Sequence, residues 1–313
     1  MKLRTRSVVN ARKKPARPSR IDPTRTATLR TAFARKLRQR FARIKLAIRL
    51  LVAEEDAFGL GASKGAASVT DLMKPVPTPR LTLRNVTANQ RWRFHSDPEK
   101  VRAFQAWLKA QFQAEVLGQD ERALWEEYVR QGYAKGAGRA FDDAAREGSR
   151  AQFLRDSFAR PETVEKVQLL AGRSFSDLEG VTEQMSRVMT RTLTDALVQG
   201  MNPLDAARLL EDNVDGIGRA RAETIARTEL IRAHASGQLD AFEDLGVEEL
   251  GVAVEWLITE DDKVCPQCES LSGVVLTLDE ARERSIPLHP NCRCAWIPAG
   301  VGEKARGITR GLF

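Results

Sequence analysis

The chain has 313 residues, 42% of them hydrophobic, enough for a sizeable core in one large or two modest domains. No run of about eighteen apolar residues occurs, and the charged opening Met1–Arg6 lacks the apolar stretch of a secretory signal, which argues against a membrane span and against export. The net charge of +8 hides a division: the first 50 residues hold 17 Lys and Arg against one acid, Asp22, so they carry +16 and residues 51–313 carry −8.

Residues 1–58 are expected to be a basic arm followed by an amphipathic helix. The first thirty, which include Arg12, Lys13 and Lys14, are too poor in large apolar side chains to offset chain entropy and are expected to be disordered. From Phe33 onward Leu37, Phe41, Ile44, Ile48 and Leu51 recur at helical spacing, with Arg and Lys on the other face. A linker follows over 59–90, marked by Pro75, Pro77 and Pro79. A helical region over 91–155 then opens at Ser96-Asp97-Pro98-Glu99, a cap residue with proline in the first turn. Apolar periodicity bounded by Gly and Pro predicts further helices over 119–147, 161–172, 177–200, 203–213 and 217–245. The last four belong to a domain over 156–300. Val252, Val254, Trp256 and Ile258 alternate in the manner of a half-buried strand, leading into a knuckle at 264–298 and a short tail over 301–313. The expected fold class is mostly α: a helical body, a small C-terminal β-containing zinc knuckle and the basic N-terminal arm.

All four cysteines lie between positions 265 and 294. Cysteines that staple a secreted fold spread over its loops, so this clustering favours metal and a reducing compartment. Cys265 and Cys268 flank a tight turn in which both sulfurs can reach one ion. After a loop of about twenty residues, His289, Cys292 and Cys294 supply the second half of a site, within the spacings of zinc motifs. Five donors compete for four positions. Cys265, Cys268, His289 and Cys292 are the favoured set, because the second pair repeats the two-residue gap of the first; Cys294 is held in reserve. Thiolates with one imidazole select zinc, and four protein ligands leave no place for a catalytic water, so the expected ion is structural. Two alternatives stand beside it. One is a pair of disulfides or four free thiols with an unrelated histidine. The other is a three-ligand catalytic zinc with Glu260, Asp261 or Asp262 as base.

Further signals lie upstream. Val214-Asp215-Gly216-Ile217-Gly218-Arg219-Ala220-Arg221 resembles the helix-hairpin-helix element of non-specific DNA-binding proteins, in which Gly216, Gly218 and Arg219 would sit at a phosphate. The plainer reading is a glycine turn that starts the next helix. Arg227 and Glu229 are read as anchors between that helix and the knuckle, with a catalytic pair as the alternative. His234 either approaches the metal or packs, and His95 reads as a surface residue.

The run Ile225-Ala226-Arg227-Thr228-Glu229-Leu230-Ile231-Arg232-Ala233-His234, then Glu255-Trp256, then Asp261-Asp262-Lys263-Val264-Cys265-Pro266-Gln267-Cys268, and finally His289-Pro290-Asn291-Cys292-Arg293-Cys294, resembles the head-morphogenesis family typified by the phage Mu F protein. The resemblance covers roughly residues 160–300, and Trp92 to Leu154 looks like the upstream part of related prophage minor head proteins. It implies a minor structural component of a tailed-phage head. Its partners would be the portal and the scaffold or major capsid proteins. It would reside in the capsid interior or portal region of the virion, and in the host cytoplasm during assembly. The family has no securely established catalytic residues, so the resemblance carries over only the cysteine and histidine positions as ligands. For the arm, double-stranded DNA, an acidic portal or scaffold surface and a membrane are the three possible partners. Protein docking through the apolar stripe with DNA contact by the arm ranks first, and no membrane contact is expected. The competing class is a metal-dependent nuclease or peptidase of head maturation, using Glu229, Asp261 or Asp262.

Overall fold

The computed structural model describes residues 22–61, 97–144, 149–246, 253–259 and 261–299. The elements run α1 (Ala27–Arg49), a π turn (Leu50–Glu54), α2 (Asp97–Glu115), α3 (Gln119–Asp143), α4 (Arg150–Phe158), α5 (Pro161–Gln199) and α6 (Pro203–Asp244), then β1 (Val254–Leu257), α7 (Pro266–Glu269), β2 (Val275–Leu276), α8 (Leu278–Glu283) and β3 (Ala295–Pro298). The protein is mostly helical, as expected. The three short strands form one antiparallel sheet in the order β2-β1-β3.

α6 is the axis of the molecule, with α1, α3 and α5 packed along it and the sheet and α8 against its C-terminal half. Pro203 occupies its first turn and the Asn202 side chain accepts the Asp205 N–H, so a cap and a proline fix where it begins. Its closest neighbour is α3. A Cβ on Gly136 would lie 1.9 Å from the His234 carbonyl oxygen, and one on Gly237 would lie 2.2 Å from that of Tyr133. The two backbones therefore touch, and no residue larger than glycine fits at the crossing. Beside it Asp240 accepts from Tyr133 Oη (2.7 Å), Lys166 Nζ (2.6 Å) and Arg282 Nη1 (3.0 Å), joining α3, α5 and α8 to α6 at one carboxylate.

Several expectations need correction. The stripe Phe33, Leu37, Phe41, Ile44, Ile48 and Leu51 is buried in the common core. It is thus not a free docking face, and α1 belongs to the body. The basic side of α1 is partly matched by acids of that body, through Arg38–Glu223 (2.8 Å), Arg40–Glu121 (2.7 Å), Arg43–Glu115 (3.0 Å) and Lys45–Asp215 (2.5 Å). The helices expected at 161–172 and 177–200 are one helix, as are those at 203–213 and 217–245. A glycine inside a helix costs only about 1 kcal/mol, and continuous burial outweighs it; the buried row Val167, Ala171, Phe175, Leu178, Met185, Met189 and Leu193 runs straight past Gly172 and Gly180. α4, capped by the Ser149 side chain, had not been expected as a separate helix. Arg12, Lys13, Lys14, His95, Glu260, residues 301–313 and most of the 59–90 linker lie outside the described residues.

Candidate metal centre

The knuckle is seated on α6 by contacts that involve no metal. Trp256 of β1 and Trp296 of β3 face each other in register, fully buried, with ring centroids 5.0 Å apart and planes at 85°. Their backbone groups point outward from this pair. Those of Trp256 meet the turn leading into β2, since its N–H donates to Val274 O (2.8 Å) and its carbonyl accepts from Gly273 N (3.0 Å). Those of Trp296 face the edge, where the buried side-chain amide of Gln238 on α6 donates to Trp296 O (2.7 Å) and accepts from Trp296 N (3.2 Å). Gln238 thereby satisfies one residue of an edge strand that would otherwise bury two unpaired groups.

The first ligand turn is built by α7. Cys265 is its cap residue, Pro266 fills the first helical position, and the Cys268 N–H points at Cys265 Sγ (3.3 Å). The second turn is closed by the Cys292 N–H donating to the His289 carbonyl (3.1 Å). Asn291, at its tip, has φ +64° and is held by α6: its N–H donates to Thr228 Oγ1 (3.1 Å), its side-chain amide donates to Thr224 Oγ1 (3.1 Å), and Arg227 Nη1 lies 3.5 Å from its side-chain oxygen. The anchor between α6 and the second turn thus consists of Thr224, Arg227 and Thr228. Glu229 takes no part; it is buried in an ion pair with Arg232 on its own helix.

These turns gather the five expected donors into two groups that share one cysteine, and the favoured set of Cys265, Cys268, His289 and Cys292 is divided between them. His289 Nε2 lies 3.1 Å from both Cys265 Sγ and Cys268 Sγ, and Cys268 Sγ lies 3.9 Å from Cys292 Sγ. Cys265, Cys268 and His289 form one group able to hold an ion; Cys268, Cys292 and Cys294 form a second that shares Cys268. Zinc bound to sulfur at about 2.3 Å and to nitrogen at about 2.0 Å needs donors roughly 3.5–3.8 Å apart, and the observed separations bracket that range. His289 Nδ1 lies 2.8 Å from the Pro290 carbonyl. With a proton on Nδ1 donated there, Nε2 is left bare toward the thiols, the usual outer support of a metal-bound imidazole. All four cysteines are free of disulfides.

The thiols are strongly differentiated. The Cys268 N–H, outweighing burial, lowers the pKa of Cys265. A hydrogen bond from Cys294, again against burial, lowers that of Cys292. Burial and the neighbouring Cys292 raise Cys268, and the hydrogen bond to Cys292 together with burial raises Cys294. Burial disfavours the His289 imidazolium, but the Pro290 carbonyl and the thiols of Cys292 and Cys265 outweigh it and raise its pKa. Asp261 is bound by both terminal nitrogens of Arg293, which lowers its pKa.

His234 does not reach this cluster. It is buried on the face of α6 that meets Gly136, and desolvation pushes its pKa down to about 3. Gly216, Gly218 and Arg219 are also elsewhere, in the interior of α6. No helix begins there, so the open N–H groups that the DNA-binding reading requires are absent. Gly218 instead admits α1, since a Cβ there would lie 3.1 Å from the Phe41 ring.

No curated protein and no solved structure matches the chain. Residues 187–297 match the family model described as phage Mu protein F like protein. The match runs from the second half of α5 through α6 to β3, and so spans the long helix, its threonine anchors and all five clustered donors. Over this region the chain is similar to the phage Mu F-like family.

Proposed function

We propose that the protein is a minor structural component of a tailed-phage or prophage head, acting in capsid assembly, with one zinc ion that fixes its C-terminal knuckle. The observation that carries this reading is the coincidence of the family match with the five converging donors. Cys265, Cys268, His289 and Cys292 hold the ion and Cys294 stands beside it as a spare thiol. With all four positions filled by side chains, the ion supplies folding energy and no activated water. The hydrolase alternative gains nothing from the two described carboxylates that occupy ion pairs, Glu229 with Arg232 and Asp261 with Arg293.

The portal and the scaffold or major capsid proteins are the proposed partners, with the virion interior or portal region as the site of residence after assembly in the host cytoplasm. The arm containing Arg12, Lys13 and Lys14 is proposed to contact double-stranded DNA, with the steep salt dependence of phosphate binding. Among the described residues no helix is long and apolar enough to cross a membrane.

Two measurements test the reading. Elemental analysis of the purified chain should find about one zinc per chain, lost in Cys265→Ser and His289→Ala; metal-free protein with paired, oxidised thiols would overturn the metal assignment. Disrupting the coding sequence in the phage that carries it should leave aberrant or empty heads by electron microscopy. Normal, infectious heads would overturn the assembly role.

A further inference from the structure

Where α1 crosses α6 beside the knuckle, arginine donors outnumber the acceptors they meet. Arg30 reaches Asp22 through Nη2 (3.3 Å), and Asp22 already accepts from the Ala27 N–H (3.0 Å) and the Thr24 hydroxyl (2.8 Å). The other terminal nitrogen, Arg30 Nη1, is buried with no acceptor among the described residues. Arg227 reaches only the Asn291 side-chain oxygen, at 3.5 Å, the outer limit of a hydrogen bond, and has no other polar partner among the described residues. The antiparallel course of α1 on α6, fixed by Arg38–Glu223 and by Phe41 on Gly218, carries Arg30 to the level of Arg227, while Arg293 is engaged by Asp261 and reaches this corner through its charge alone. Burial lowers the pKa of Arg30, Asp22 opposes this, and Arg227 and Arg293 lower it further, as expected where guanidinium groups crowd one another.

We propose that Arg30 and Arg227, with Arg293 beside them, form a binding site for a phosphate-class oxyanion at this seam. A buried cationic donor without an acceptor is strongly disfavoured, and an oxyanion supplies both the acceptor and the opposite charge. Guanidinium groups present planar forks of N–H donors. A tetrahedral anion with three or more free oxygens can take donors from two forks together, whereas one carboxylate matches a single fork. Inorganic phosphate and the phosphodiester of nucleic acid share this chemistry. The site is independent of the head-assembly reading.

The test uses the full-length, metal-loaded chain at low ionic strength. Inorganic phosphate is titrated calorimetrically, and each variant is first checked for an unchanged far-UV spectrum and cooperative melting. The parent should bind saturably, with a rise in melting temperature as phosphate is added. Arg30→Gln and Arg227→Gln should each weaken binding about tenfold or more, and Arg227→Lys should fail to restore it because the fork is lost. Arg221→Gln, on an exposed turn of the same helix, should bind as the parent does. A short DNA duplex is titrated in parallel. Duplex binding that weakens in the same two variants identifies nucleic acid as the source, while duplex binding that ignores them identifies the free anion. No saturable phosphate binding by the parent, or equal binding by the folded Arg30→Gln/Arg227→Gln double variant, would overturn the proposal.

Discussion

Replacing Gly136 by alanine tests the backbone contact on which the α3–α6 packing rests. The added Cβ would sit 1.9 Å from the His234 carbonyl oxygen, against a normal separation of about 3.2 Å or more. The obstacle is backbone on a buried helix, so it cannot rotate away as a side chain would. The helices must part by more than about 1 Å, which loosens the close approach of Gly132 to Leu230 and Ala233, the Tyr133–Asp240 hydrogen bond and the contact of Gly237 with Tyr133. Overpacking of a well-filled core costs about 1–3 kcal/mol. Contact on the backbone itself places this case at or above the upper end. Better helix propensity returns about 1 kcal/mol, leaving a net loss of about 2 kcal/mol or more. Urea unfolding followed by far-UV circular dichroism measures this directly, and Gly180→Ala provides the internal control. Gly180 lies on α5 with nothing within 4 Å of its virtual Cβ, so alanine there should stabilise by about 0.5–1 kcal/mol. If both variants shift the midpoint in the same direction, or if Gly136→Ala matches the parent, the backbone contact does not exist in solution.

Three further outcomes follow from the knuckle and the core around it. Cys292→Ser should release the metal and expose Trp256 and Trp296, seen as a red-shifted tryptophan emission, whereas Cys294→Ser should retain about one ion per chain; the opposite ranking would exchange the roles of the two thiols. Gln238→Leu leaves the buried N–H and C=O of Trp296 without partners, at about 1–3 kcal/mol for each group. Its urea midpoint should fall accordingly, and an unchanged midpoint would mean that β3 satisfies its edge in another way. The third concerns His234, whose pKa burial pushes down to about 3 in the folded chain from about 6.5 when unfolded. Between these values the unfolded chain binds the extra proton. The contribution to stability is therefore complete above about pH 6.5 and declines as the pH falls toward 3, with a limiting slope of about 1.4 kcal/mol per pH unit. Comparison with His234→Leu across pH 7 to 4 should show a shallower decline in the variant, and parallel curves would refute the assignment.

The parts of this protein that were legible in its sequence are those governed by short-range periodicity and donor spacing. The row from Phe33 to Leu51 announced an amphipathic helix, and all of it is buried. The two cysteine turns announce a donor cluster, and the donors fall into two groups that share Cys268. The partner of a buried face is a different matter. A stripe that packs on α6 has the same periodicity as one that waits for another protein, so the sequence alone does not separate α1 from the arm. Glycine was the other source of error. Gly172, Gly216 and Gly218 resembled helix ends because local propensity is weak beside tertiary burial. The glycines with a packing role, Gly136 and Gly237, carry no local signal at all, because their function depends on a helix about a hundred residues away. The same holds for Gln238 and for the threonines that hold Asn291.

α6 also has a geometric consequence. Its 42 residues at about 1.5 Å each make a rod about 63 Å long. The turn before Pro203 and the threonines that grip Asn291 lie on that one rod, about 38 Å apart by the same rise. Burial on α1, α3 and α5 prevents it from bending freely. The protein is in this sense a ruler: any surface seated at the α5–α6 turn is held at a set span and rotation from whatever meets the knuckle. Inserting one residue near Gly216 would lengthen that span by only about 1.5 Å but would swing the far end by about 100°.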